Sequence, residues 1–182
     1  MQLGPCSWST LGRAVGLSAL AVGILFWGAS ALDIRVNSSP SLPLGLYLVA
    51  SGPDATLVEF CPAEPFASLA NARGYRHAGT CPDGGSPLMK PVVARAGDSV
   101  QISARGLSVN GKPIPNSAPL LKDTAGRPLM AWPFGTYAVQ PGTIWVVSDY
   151  NYRSFDSRYF GPISEALVTS RLRRLLVLRG LD

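Results

Sequence analysis

Three stretches of the chain hold side chains that together could activate a serine as a nucleophile. The first is Ser38–Tyr47, in which Pro40 and Pro43 bracket Ser41. Each proline fixes its own φ and biases the preceding residue toward extended backbone, so Ser41 Oγ is presented in one direction at little entropic cost. A Pro-rich linker would read the same way. Serine is a weak nucleophile and needs a base. His77, the single histidine, sits among Tyr75, Arg76 and Gly79 in a loop-like stretch and is expected to be solvated or structural, which excludes a Ser-His-Asp arrangement. The second stretch, Pro87–Ala94, offers Lys90, the one lysine inside an apolar strand-like run; Lys112 and Lys122 lie in a hairpin turn and a loop. A lysine acting as base near neutral pH needs a pKa of roughly 7–8 instead of ~10.4, a shift costing about 4 kcal/mol that burial can supply. The alternative is an edge-strand lysine that discourages aggregation. The third stretch is the polar Ser148–Pro162, read by itself as a loop with an internal Asp156–Arg158 ion pair.

The elements that must position these groups are short strands. Nineteen glycines and sixteen prolines in 182 residues punctuate the chain too often for a helical bundle. Strands are expected at Leu46–Ala50, Thr56–Phe60, Leu88–Arg95, Ser99–Ser103, Thr136–Gln140 and Thr143–Ser148. Asn110-Gly111 marks a hairpin within Leu107–Ile114. Pro91 is expected to interrupt the lysine strand. Ile163–Leu178 reads as a helix. Cys61–Ser86 differs in texture, with a short helix at Pro65–Arg73, and is expected to be an insertion (61–86) standing out from the β core.

At the other end, Ala14–Leu32 is an uncharged run of 19 residues, long enough to span a bilayer. The expected organisation is a short cytoplasmic N-terminus (1–13), a membrane anchor (14–32) and an extracytoplasmic domain (33–182). Arg13 favours that orientation, and Arg35 on the far side weakens it. Ala29-Ser30-Ala31 also resembles a cleavage site, so a removed signal peptide is the competing reading. Ser41 follows Leu32 by nine residues, so it stands within about 30 Å of the end of the span. On the oxidising side Cys61 and Cys81 are expected to pair; two buried thiols or a redox pair are the alternatives, although there is no Cys-x-x-Cys. The formal charge of +5 is carried mostly by arginine without a basic run interleaved with aromatics. That pattern points to anionic lipid or a solvated surface and away from nucleic acid. No metal or cofactor is expected.

Taken together and in order, Ser39-Pro40-Ser41-Leu42-Pro43, the lysine strand followed by Gly97-Asp98, the hairpin Leu107–Pro113 and the box Ser154–Gly161 resemble the type I signal peptidases of the Ser/Lys kind. Ser41–Tyr47 is similar to their conjugative-transfer (TraF-type) branch. Two departures stand out. Leu42 replaces the methionine that often follows the serine, and Ser148-Asp149-Tyr150-Asn151 replaces the usual Gly-Asp-Asn. The resemblance implies a mainly β catalytic domain of antiparallel sheets on one N-terminal transmembrane helix, in the bacterial inner membrane with the domain periplasmic. It implies a serine endopeptidase that removes leader or terminal peptides from exported precursors, a conjugative pilin precursor among them. Ser41 would form an acyl-enzyme with Lys90 as general base, and Ser39 Oγ and the Ser41 N–H would bind the oxyanion. Ser154 would hydrogen-bond Lys90. Asp156 belongs to the active-site set of that branch, yet a carboxylate beside Lys90 favours the charged amine; it is therefore expected to pair mainly with Arg158. Acyl transfer to an amine (cyclisation or ligation) and a non-catalytic anchored β domain of a secretion assembly are the rival readings.

Overall fold

The structure is a computed structural model, and it describes Val15–Gly16, Asp33–Gly52 and Ala55–Leu178. The chain divides into two compact units, Met1–Ile34 and Arg35–Asp182. Nearly all of the first unit, including the expected cytoplasmic stretch 1–13 and span 14–32, lies outside the described residues. Among the described residues no helix is long and apolar enough to cross a membrane.

The second unit is mainly β. Seven strands form one sheet: β1 (Ile34–Asn37), β2 (Gly45–Val49), β3 (Leu57–Phe60), β4 (Leu88–Ala94), β9 (Thr143–Val146), β10 (Ile163–Ser164) and β11 (Val168–Val177). Their order is β1-β2-β11-β3-β4-β9-β10, antiparallel throughout from β2 to β10. A second sheet, β7-β6-β5-β8, is built from β5 (Ser99–Ser103), β6 (Gly106–Val109), β7 (Lys112–Pro113) and β8 (Gly135–Ala138). The β6–β7 hairpin turns through Asn110 and Gly111 with φ of 50° and 78°, the positive values that a two-residue turn of this hand requires. In β5 burial alternates, with Val100 and Ile102 inward, as period 2 dictates for a half-covered sheet. These side chains meet Leu107, Ala94, Trp145 and Val147 in a core between the two sheets.

Three expectations are corrected. Ile163–Leu178 is not a helix but β10, a 3-10 turn at Glu165–Leu167, and the ten-residue β11. The spacing of Leu172, Leu175 and Leu176 suits a helix locally, but β11 fills the slot between β2 and β3 and satisfies both their edges. Gly45 lets it in, because a Cβ there would run into the Leu176 carbonyl. Pro91 does not interrupt β4, which pairs with β3 through Leu57↔Pro91 and Val58↔Lys90. The polar side of Pro91 faces β9, where its carbonyl accepts from Val147 N–H at 3.1 Å; its missing N–H falls just where β9 ends. The third correction concerns 61–86, which does not stand out. Its helix α1 (Phe66–Ala72) buries Ala70 in the core with Phe60, Val146 and Phe160, and Phe66, Leu69 and Tyr75 pack on the same cluster. Cys61 and Cys81 are bonded across this segment, and an ion pair of 2.6 Å from the buried Arg76 to the surface Asp83 braces it.

Candidate active site

Ser41 sits half-buried in the loop between β1 and β2. Apolar packing fixes the loop from below. Leu42 is fully buried with Tyr47, Leu57 and Leu172, and Met89, the residue before Lys90, packs on the same cluster. The nucleophile loop and the lysine strand thus share one piece of core. Hydrogen bonds fix the loop from within: Asn37 Nδ2 donates to the carbonyls of Ser39, Leu42 and Pro43 at 2.9, 3.1 and 3.1 Å, and Asn37 Oδ1 accepts from Ser39 N–H. Tyr47 Oη donates to the Pro43 carbonyl at 2.6 Å. Ser39 Oγ lies 2.7 Å from Ser41 Oγ and accepts from Ser41 N–H at 3.2 Å. The two groups expected to bind an oxyanion are therefore bonded to each other, and Ser39 Oγ also touches the nucleophile.

Lys90 is 3% exposed at the middle of β4. Burial holds its ammonium well below the ordinary 10.5, at about 8; Asp156 pulls the value up and Arg158 pushes it down again. A lysine with this pKa is partly neutral at physiological pH and can accept a proton.

The third stretch forms the wall beside both. Asp156 caps α2 (Ser157–Phe160), accepting from Arg158 N–H. Asp156 and Arg158 are completely buried and pair through two contacts, Nε to Oδ1 at 2.8 Å and Nη2 to Oδ2 at 2.9 Å. The remaining N–H groups of Arg158 donate to the carbonyls of Asn116, Tyr152 and Ser148 at 2.8–2.9 Å. Because the guanidinium is locked against Asp156, the carboxylate charge reaches Lys90 largely compensated. Ser148, also completely buried, links this pair to the nucleophile: its N–H donates to Asp156 Oδ2 at 3.0 Å and its Oγ to the Ser41 carbonyl at 2.5 Å. Asn151 Nδ2 donates to the Pro40 carbonyl at 3.0 Å.

The expected Ser154–Lys90 bond is not made. Ser154 Oγ is enclosed and has no hydrogen-bond partner, since burial of the flanking Phe155 and Asp156 turns this segment inward. His77 is exposed on the 61–86 segment. Nothing in the sequence points to Asn37, and the departure Ser148-Asp149-Tyr150-Asn151 does not by itself assign Ser148 and Asn151 the holding of the serine loop. The hydroxyl at 148, where glycine is usual, was the one available signal. A cleft of about 550 Å³ lies between Pro91–Val93 and Val147 on one side and Val109–Ile114 on the other, and none of Ser39, Ser41, Lys90 or Asp156 lines it. Among the described residues no cluster of His, Cys, Asp and Glu gathers as a metal site.

Comparison with known proteins agrees with the boxes. Residues 8–176 match the family described as signal peptidase, peptidase S26. A plasmid transfer protein TraF of Escherichia coli is 36% identical over 169 residues, 91% of this chain and 95% of the relative. A probable conjugal transfer protein TraF of Sinorhizobium fredii is 40% identical over 147 residues, 78% and 76% of the two chains. The crystal structure of a signal peptidase I from Enterococcus faecalis aligns with a TM-score of 0.36 at 19% identity, over 68% of this chain and 97% of that one. With the match running almost from end to end, the chain belongs to the signal peptidase S26 family.

Proposed function

We propose that this chain is a membrane-anchored serine endopeptidase that trims exported precursors for conjugal transfer, a pilin precursor being the substrate of choice. What supports the chemistry is a conformationally fixed Ser41 whose loop shares core packing with the strand that carries a buried Lys90 of pKa about 8. Family membership and the TraF relatives support the setting. In the first step the neutral Lys90 amine takes the Ser41 hydroxyl proton as Oγ bonds to the scissile carbonyl carbon. The oxyanion takes over the Ser41 N–H, and the Ser39 hydroxyl turns to donate to it. Lys90 then passes its proton to the departing amine, leaving the acyl ester on Ser41. Water, deprotonated by Lys90, hydrolyses the ester and regenerates the serine. Asp156 and Arg158 hold the frame. The apolar run 14–32 anchors the enzyme in the inner membrane with the domain on the periplasmic side, where a precursor with its own apolar segment meets it at high effective concentration.

The test uses the full chain in detergent with an internally quenched peptide carrying Ala-x-Ala before the scissile bond. Cleavage should vanish in Ser41→Ala and in Lys90→Ala and survive in His77→Ala. Because only neutral Lys90 works, kcat/KM should rise tenfold per pH unit below about 8 and level off above it. Loss of activity in His77→Ala with retention in Lys90→Ala would overturn the reading. Mass spectrometry of the product separates hydrolysis from transfer to an amine.

A further inference from the structure

We propose that Ser148 is a positioning residue through which the buried Asp156–Arg158 pair sets the orientation of the nucleophile, and that Asp156 serves the reaction by this route. The inference rests on the peptidase reading above. It starts from the hydrogen-bonding capacity of a hydroxyl, which has one proton and two lone pairs. Ser148 Oγ accepts from the N–H groups of Tyr150 and Asn151 at 3.2 and 3.3 Å, and its third contact is the Ser41 carbonyl at 2.5 Å. With both lone pairs engaged by donors, the hydroxyl proton is committed to Ser41. The same residue is gripped on its backbone from both sides, its N–H by Asp156 Oδ2 and its carbonyl by Arg158 Nη2, at 3.0 and 2.8 Å.

Asp156 is saturated as well. A carboxylate has about four acceptor positions, and four donors occupy them: Ser148 N–H, Arg158 N–H, Arg158 Nε and Arg158 Nη2. None remains for Lys90, a substrate or water. Besides its electrostatic pull on Lys90, its hydrogen-bonded link to the reaction runs through Ser148 to the carbonyl of the nucleophilic residue, spanning 107 positions of sequence. Rotation of the Ser41 peptide plane would swing both Oγ and the adjoining Leu42 backbone, so the bond to its carbonyl fixes the attack direction.

The full chain in detergent is assayed with the same Ala-x-Ala peptide, and hydrogen exchange is followed over residues 38–47. Ser148→Ala is expected to lower kcat roughly 10- to 100-fold, the scale of a 1 Å misplacement. KM should stay within about twofold and the pH midpoint should not move, because Lys90 keeps its surroundings. Exchange over 38–47 should speed up about tenfold, with β3 and β4 unchanged. The double variant Ser148→Ala/Asp156→Asn should be no slower than the slower single variant, as non-additivity requires of two residues acting through one contact. If Asp156→Asn does not fold, the Ser148→Ala data decide alone. Unchanged exchange with kcat within threefold of wild type, a loss confined to KM, or multiplicative effects in the double variant would each overturn the proposal. Should the wild type cleave no peptide while Ser148→Ala still loosens 38–47, the clamp stands and the peptidase reading falls.

Discussion

The serine loop and the lysine strand are held by opposite physics. Ser41 is fixed by directional bonds: Asn37, Ser148 and Asn151 grip the backbone carbonyls of Ser39–Pro43 one by one. Lys90 is tuned by the absence of such partners, since its low pKa comes first from burial. A nucleophile needs a direction and a base needs a proton affinity. The fold supplies the first with polar geometry and the second with exclusion of water. The Asp156–Arg158 pair is where the two meet, because it holds Ser148 and also offsets its own charge toward Lys90.

Removing that meeting point should have the largest effect. Arg158→Met leaves Asp156 buried without a counter-charge, and breaking such a pair costs about 3–5 kcal/mol. The residual activity should show a pH midpoint above that of wild type, since Arg158 is one of the influences that lower the Lys90 pKa. Urea unfolding and a pH–rate profile check both; an unmoved midpoint would separate the two halves.

Lys90→Met attacks only the base and should stabilise the protein. The folded pKa lies near 8 and the ordinary value at 10.5, so the unfolded chain binds more protons between those values. Stability of the wild type therefore rises with pH across that window, and below about pH 8 it carries the full penalty of roughly 3 kcal/mol. Lys90→Met should gain up to about that much at pH 7 and little at pH 11, by urea unfolding at both, while losing all cleavage. Asn37→Ala attacks only the serine side. It should cost about 1–2 kcal/mol for the unpaired carbonyls, slow cleavage and leave the pH midpoint in place. A shifted midpoint there would show that the loop also shields Lys90.

Much of this division was legible in the sequence. Lys90 stood out because a charged residue inside Leu88–Ala94 must be buried at a cost or lie at an edge. The Asn110-Gly111 turn follows from φ preferences alone. What could not be read depends on partners remote in sequence. Val168–Val177 carries leucines at helical spacing, and only the vacant slot between β2 and β3 makes it a strand. Pro91 is tolerated because β9 stops beside it. Phe66 and Leu69 dock on a core to which β3, β4, β9, α2 and β10 all contribute. The Ser154 hydroxyl matches its family box, yet the box does not reveal that this hydroxyl is enclosed without a hydrogen-bond partner. Asn37 lies outside every box and could be found only by asking what satisfies the carbonyls around Pro40 and Pro43.

The strand order has a consequence for how the site comes into being. β2, which follows the serine loop, and β3, which leads to the lysine strand, do not pair; β11 lies between them. During synthesis the ribosome delivers Ser41 and Lys90 long before Val168–Val177, so the two halves wait unzipped on either side of an empty lane. Such long-range pairing closes late and slowly. The Leu42–Met89 cluster that unites serine and lysine includes Leu172 of β11. On the proposed reading, any activity of the serine and lysine is thereby deferred until the closing strand has been threaded.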